Sequence, residues 1–224
     1  MLLSAASRGQ GLKLTATGNL ARKVVAEMFE VFTWPGLDKA DLLRYHKVLN
    51  EPDFLPLYFV RHLLETAGLV HQNNNFLTIS PNGFFVLQGP TRHAFQALLF
   101  HVAFWLFDLN YFGRGLPDDW PQRDIGVVLW SLSVSTSQWC TPEYLSKSCT
   151  IPTEDIIAAP RDIATYAMEA RILRPLLYFG LLEQHSVPHH KYSSMDQSEY
   201  RKSALFDRFL SFNVKLRSHT GPVH

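Results

Sequence analysis

Three histidines in the stretch "HSVPHHK", His185, His189 and His190, come nearest to a metal site by residue type and spacing. A structural zinc wants a fourth ligand and hydrogen-bonding support behind each imidazole, so the cluster reads as a histidine-rich surface loop. Asp118 and Asp119 would suit acid–base work as a carboxylate pair, but they sit in the proline-bounded turn "LPDDWP", where solvated turn acids are the ordinary occupants. "FGRG", from Phe112 to Gly115, is a turn and not a phosphate cradle. No Gly-rich phosphate loop, nucleophile elbow or His-Glu-x-x-His pattern occurs anywhere in the chain. Cys140 and Cys149 are too few for a disulfide framework and are not in metal-ligand spacing. The expectation is a protein that is not an enzyme, with no catalytic residue, no cofactor and no metal.

The chain of 224 residues has room for one large domain or two small ones. Hydrophobic residues at 46% and charged residues at 18% describe a globular protein rather than a disordered one. A formal net charge of +1 argues against a protein that coats a polyanion. The charge is nevertheless uneven. Arg8, Lys13, Arg22 and Lys23 all precede the first acid, Glu27, and basic residues again outweigh acids from Tyr200 onward. The segment between Asp118 and Glu169 is acidic. "MLLSAASRGQG" lacks the charged start of a signal peptide. "AFQALLFHVAFWLFDL", Ala94 to Leu109, is shorter than the ~20 residues of a membrane span and reads as a helix buried nearly all round. Together with the reduced thiols, this places the protein in the cytoplasm and off the membrane.

Two segments end alike. "VRHLLETAGLV" (Val60 to Val70) and "LRPLLYFGLL" (Leu173 to Leu182) share an Arg, a Leu pair and a Gly followed by aliphatic residues. In the first, Leu57, Val60, Leu64 and Ala67 make a helical stripe, and Gly68 stands where a helix C-terminus favours a left-handed residue. Two short apolar runs follow, separated by Asn73 to Asn75, which is a hairpin signal. Before that helix, "KADLLRYHKVLN" spaces Leu42, Leu43, Tyr45 and Leu49 on one face. Leu14-Thr15 and Ile79-Ser80, each followed two residues later by Gly, read as strand ends with a hydroxyl to cap the next helix, and Pro81 strengthens the second. The later copy has helices in "DIGVVLWSLSVSTSQW", in "CTPEYLSKSC" capped by Thr141, and in "RDIATYAMEARILRPLLYFGLL". Pro175 predicts a kink or break near Arg174. Ser203 is placed to cap a last helix, "ALFDRFLSF".

Helix, helix, helix, hairpin is the order of a winged helix-turn-helix. Residues 13–88 resemble such a unit and residues 124–214 a diverged second copy, joined by the apolar helix and turn of 89–123, with a tail at 215–224. The fold class expected is mainly α with short β-hairpins (α+β), as tandem winged-helix units joined by a buried apolar helix. The "LTATGNL" opening and "FDLNYFGRGLPDDWPQRDIGVVLWSLS" also resemble an uncharacterised bacterial family of plasmid-type open reading frames, whose members share a Leu-Thr-x-x-Gly start and an Asn-x-x-Tyr-Phe turn. That resemblance brings no activity with it.

A winged helix commonly lays its third helix in the major groove of duplex DNA, which calls for Arg, Lys, Asn or Gln on that helix's outer face. The sequence offers Arg61 and His62 in the first copy, offset by Asp53 and Glu65. It offers Arg161, Arg171 and Arg174 in the second, offset by Asp162 and Glu169. Acids at the helix starts oppose phosphate, so a solvated mixed-charge face is an equally good account. Contacts to phosphate are better sought at the basic ends and hairpins: Arg22, Lys23, Asn74, Lys191, Arg201 and Lys202. The expected function is a non-enzymatic winged-helix protein touching duplex DNA mainly through phosphate. The alternative is a protein-interaction or dimerisation module, favoured by the acidic middle, the apolar 94–109 helix and Trp105, Trp120, Trp130 and Trp139. The partner is accordingly duplex DNA, a partner protein or a second copy.

Overall fold

A computed structural model describes residues 1–35, 37–89, 92–112, 119–187 and 197–214. The first unit runs α1 (Leu2–Ala6), β1 (Leu12–Lys13), α2 (Arg22–Val31), α3 (Lys39–Tyr45), α4 (Leu55–Thr66), β2 (Val70–Asn73), β3 (Phe76–Ile79) and α5 (Pro81–Gln88). A middle helix follows, α6 (Arg92–His101), which continues as a π-helical turn over Val102–Leu106. The second unit has α7 (Ile125–Ser135), α8 (Pro142–Ser148), α9 (Glu154–Ala158) and α10 (Arg161–Met168). A π-helical turn at Glu169–Leu173 leads into α11 (Arg174–Tyr178), then β4 (Leu182–Val187), β5 (Gln197–Lys202) and α12 (Phe206–Phe209). The protein is mainly helical with small antiparallel hairpins, as its sequence predicts.

The echo between the two segments is a shared hydrogen-bonding device. Gly68 and Gly180 both adopt left-handed backbone, φ +65° and +72°. Behind each glycine the next residue's N–H reaches back five positions, Leu69 to the Leu64 carbonyl and Leu181 to the Leu176 carbonyl, both at 2.9 Å. This is the way a glycine ends a helix while satisfying its last carbonyls. Ser80 and Ser203 then close each hairpin: the hydroxyl donates to the glycine carbonyl at 2.7 Å in both, and the N–H donates to the Leu69 or Leu181 carbonyl. A third strand flanks the first hairpin, and an isolated bridge flanks the second. β1 pairs with β3 through Leu12 and Lys13, and Cys140 bridges Tyr200 of β5.

Several local expectations hold. Asn74 and Asn75 form the tight turn between β2 and β3, both with positive φ. Ser80 accepts the Gly83 N–H and Thr141 accepts the Tyr144 N–H, capping α5 and α8. Others differ. Thr15 does not cap α2, which begins behind Ala21 with no side-chain cap; its hydroxyl accepts the Asn19 N–H instead, in a loop closed by a Leu14–Leu20 bridge. Ser203 is two residues ahead of the N-cap of α12, because its hydroxyl is committed to Gly180 and Leu205. Pro175 stands in the first turn of α11, and the helix changes from π to α at Arg174, an irregularity where the sequence expects a kink or break. α3 buries no residue, and Leu43 and Tyr45 are exposed.

Two large buried clusters make up most of the core. Leu57, Leu64, Leu69 and Leu77 join Val25, Phe29 and Phe54 in the first unit's core, with Val60 and Ala67 packed against it. Phe59 and Leu63 of the same α4 turn the other way, into a cluster shared with Phe100, Phe104 and Phe107 and with the helices of the second unit. Phe59 lies 5.7 Å from Tyr178 and 6.1 Å from Phe107, ring to ring, and Trp34 lies 5.3 Å from Tyr178. The middle helix thus stands between the units, but on one side only. Leu98, Trp105 and Leu106 face solvent, so the expectation of burial nearly all round is corrected: the exposed side has no element of this chain over it among the described residues.

Candidate functional site

Two of the residues expected to read DNA bases, Arg61 and Arg171, are withdrawn. Arg61 is only 2% exposed, correcting its placement on an outer face. Its guanidinium donates to Glu51 Oε2 at 2.6 Å, to the Gly18 carbonyl at 2.8 Å and to Glu65 at 3.2 Å. Glu51 also accepts the Leu20 N–H at 2.5 Å. The pair ties α4 to the loop before α2, and the charges face each other rather than solvent. Burial pushes the Glu51 carboxyl above its ordinary value, against the pull of the Leu20 N–H and Arg61. His62 is half-buried and faces Glu65 at 3.2 Å. Arg171 is likewise buried and donates to the Trp120 carbonyl. Arg174 remains part-exposed and pairs with Glu169 at 3.4 Å. On α4 Thr66 alone is fully exposed, since each flank of that helix meets a different core.

The phosphate candidates fare unequally. Arg22 and Lys23 are exposed at the start of α2, with Arg22 Nε donating to Asn50 at 3.0 Å. Asn74 is exposed at the β2–β3 turn. Arg201 pairs with Glu183 at 2.6 Å and lies over the Trp139 ring at 4.5 Å. Lys202, one residue on and therefore on the opposite face of the strand, pairs with Asp207 at 2.8 Å and donates to the Ser133 carbonyl. Lys191, like His189 and His190, lies outside the described residues. His185 pairs with Glu199 at 3.3 Å and packs edge-on against Trp139. Among the described residues no group of three or more His, Cys, Asp or Glu is arranged to hold a metal ion, and no helix is long and apolar enough to cross a membrane. Cys140 and Cys149 are free thiols.

Trp130, one of the tryptophans that favour an interaction module, belongs to an exposed surface on α7. That helix buries Ile125, Val128, Leu129 and Leu132 on one side. Its other side presents Val127, Trp130 and Val134, at intervals of three and four and with Val134 64% exposed. A helix meant for solvent on that side would carry polar residues there. Next to it, Trp105, Leu106 and Val127 line an open groove of about 530 Å³, with Asp108, Asp119 and Asp124 also along it. Arg123 pairs with Asp119 at 2.9 Å, so carboxylates outnumber cations among the described lining residues. The signal was present in "IGVVLWSLSVS", which has no charge on any face.

Residues 1–92 match the family described as the Y4jL N-terminal domain. Over 83 residues the chain is 37% identical to the uncharacterised protein y4jL of Sinorhizobium fredii (strain NBRC 101917 / NGR234), a stretch that covers 37% of this chain and 38% of that protein. The likeness is therefore to an uncharacterised bacterial family, and it spans well under two thirds of the relative's length. No solved structure matches the chain.

Proposed function

We propose that this is a non-enzymatic interaction module, made of two winged-helix-like units, that docks a helix of a partner protein on the outward face of α7. The observation that carries this reading is the exposed apolar stripe Val127, Trp130, Val134, continued by Trp105 and Leu106. Aromatic residues ringed by polar groups are what binding surfaces concentrate. Asp108, Asp119 and Asp124 make the rim acidic, which sets the partner's chemistry: an amphipathic helix with an apolar stripe and a basic flank. A second copy paired about a twofold axis would bring like charges together on that rim.

A photo-crosslinking residue at position 134, in cells that make the protein, tests the reading. A discrete adduct that is lost when Trp130 becomes Ala, and that does not form from position 45, supports it. The absence of any adduct at 134 overturns it.

Arg22, Lys23 and Asn74, exposed as a phosphate-contacting group would need to be, favour a second reading: sequence-independent contact with duplex DNA. Binding to random duplex across a salt series measures it, since the slope of log affinity against log salt counts the phosphates neutralised.

A further inference from the structure

A cavity in the second unit goes beyond the docking reading and does not depend on it. We propose that the space between α8, α9 and α10 binds a small uncharged aromatic molecule carrying one hydrogen-bond donor, of the phenol or indole class. The cavity measures about 280 Å³. At about 30 Å³ for each water-sized group, it takes roughly nine non-hydrogen atoms, one aromatic ring or a fused pair. Its apolar walls include Trp120, Pro152, Ile156, Ile157, Pro160 and Ala164.

The walls are fixed before any ligand arrives. Trp120 is 1% exposed, its indole N–H is committed to the Ile151 carbonyl at 2.8 Å, and its own carbonyl accepts from Arg171. With Ile156 and Ala167 it forms a small buried cluster separate from the two main cores, against which Ile163 and Ala164 pack. A rigid, mostly apolar concavity with a few polar groups at one end is the usual form of a small-molecule site.

The polar end defines the ligand. Ser146 Oγ donates to the Glu143 carbonyl at 2.9 Å and Thr150 Oγ1 donates to the Ser146 carbonyl at 2.5 Å. Both hydroxyl protons are spent, and both oxygens keep lone pairs, so they accept from a ligand and do not donate to it. Lys147, the cation lining this end, is paired with Glu143 at 2.6 Å, which leaves little net charge to hold an anion. Ile157, 72% exposed, borders the space.

The test titrates phenol, indole, toluene and benzoate into the full chain, following the methyl resonances of Ile156, Ile157 and Ala164. Phenol and indole should shift these signals saturably, toluene should bind about fivefold more weakly for want of the hydrogen bond, and benzoate should not bind. Thr150→Val combined with Ser146→Ala, which removes both acceptors, should bring phenol down to the level of toluene. Ala164→Phe, which fills the space, should abolish binding; if that variant does not fold, Ile157→Trp at the border serves the same purpose. No saturable shift with phenol or indole overturns the proposal, as does undiminished binding to a folded cavity-filling variant. Equal binding of toluene and phenol, unchanged in the double variant, overturns the assignment of a donor.

Discussion

Glu51 and Arg61 meet at 2.6 Å with both side chains out of solvent, although sequence reading places Arg61 on an outer helix face. The pair is also bonded to the backbone of the loop before α2, at Leu20 and Gly18. It therefore joins three pieces of the first unit: Glu51, α4 and the loop before α2.

Removing one partner leaves the other as an uncompensated buried charge. Arg61→Met should destabilise the protein by about 3–5 kcal/mol, read as a lower midpoint in urea with an unchanged slope. Adding Glu51→Gln to it should restore a good part of that loss, because the stranded carboxylate is then gone. A double variant no more stable than the single one would show that the pair contributes packing rather than charge.

Gly68 and Gly180 make a matched test of the repeated helix ending. At neither position would an added Cβ meet any atom within 4 Å, so Gly→Ala there probes backbone strain alone. Each substitution should cost roughly 1–2 kcal/mol, the usual penalty of left-handed backbone for a residue with a Cβ. The two costs should be similar and additive, the positions being in different units. Gly83→Ala should cost more, since its Cβ would run into the Leu69 carbonyl.

The middle helix separates stability from surface. Phe100→Ala or Phe104→Ala should destabilise by about 3–5 kcal/mol, as for a buried phenylalanine, because both rings pack in the shared cluster against Phe179, one edge-on and one tilted. Trp105→Ala, on the exposed side, should move the thermal midpoint little while weakening any docking on α7. Equal destabilisation by all three would mean that the exposed side is covered in the folded molecule.

What the sequence made legible was local. A glycine after a helical stripe, an Asn-rich tip and a Ser-Pro or Thr-Pro start each act through the backbone within a few residues, and the hairpins and caps at Gly68, Asn74, Ser80 and Thr141 follow them. Arg61 was misplaced because its burial depends on Glu51 and Gly18, which the fold brings to it from elsewhere in the chain. Thr15 was misplaced for a related reason: its hydroxyl accepts the Asn19 N–H inside a loop that the Leu14–Leu20 bridge closes. The apolar helices α6 and α7 announced burial, but hydrophobicity does not say which face finds a partner within the same chain. Trp105 and Trp130 are on the faces that did not.

Tyr200 gives the fold an alkaline limit. Its ring is buried beneath the β4–β5 hairpin, its hydroxyl donates to Glu169 at 2.9 Å, and Gln184 donates to the same oxygen at 3.2 Å. Burial first, and then the negative charge and hydrogen bond of Glu169, hold the phenol well above its ordinary value of 10.0; Arg174 pulls the other way and does not prevail. An acid whose pKa is raised by folding is protonated in the native state at pH values where the unfolded chain has already lost the proton. Its contribution is complete below pH 10 and declines as pH rises above that value. Wild-type stability in urea should therefore fall as pH is raised past 10. Tyr200→Phe should be less stable at neutral pH, by about 1 kcal/mol or more for the lost charge-assisted hydrogen bond, and should show a shallower alkaline decline. Ultraviolet titration of the folded protein should find at least two fewer phenolates forming near pH 10 than in denaturant, because burial holds Tyr178 up as well, and Tyr200→Phe should remove one of the late-titrating groups. A Tyr200→Phe variant whose decline above pH 10 is as steep as that of the wild type would remove the hydroxyl from this account.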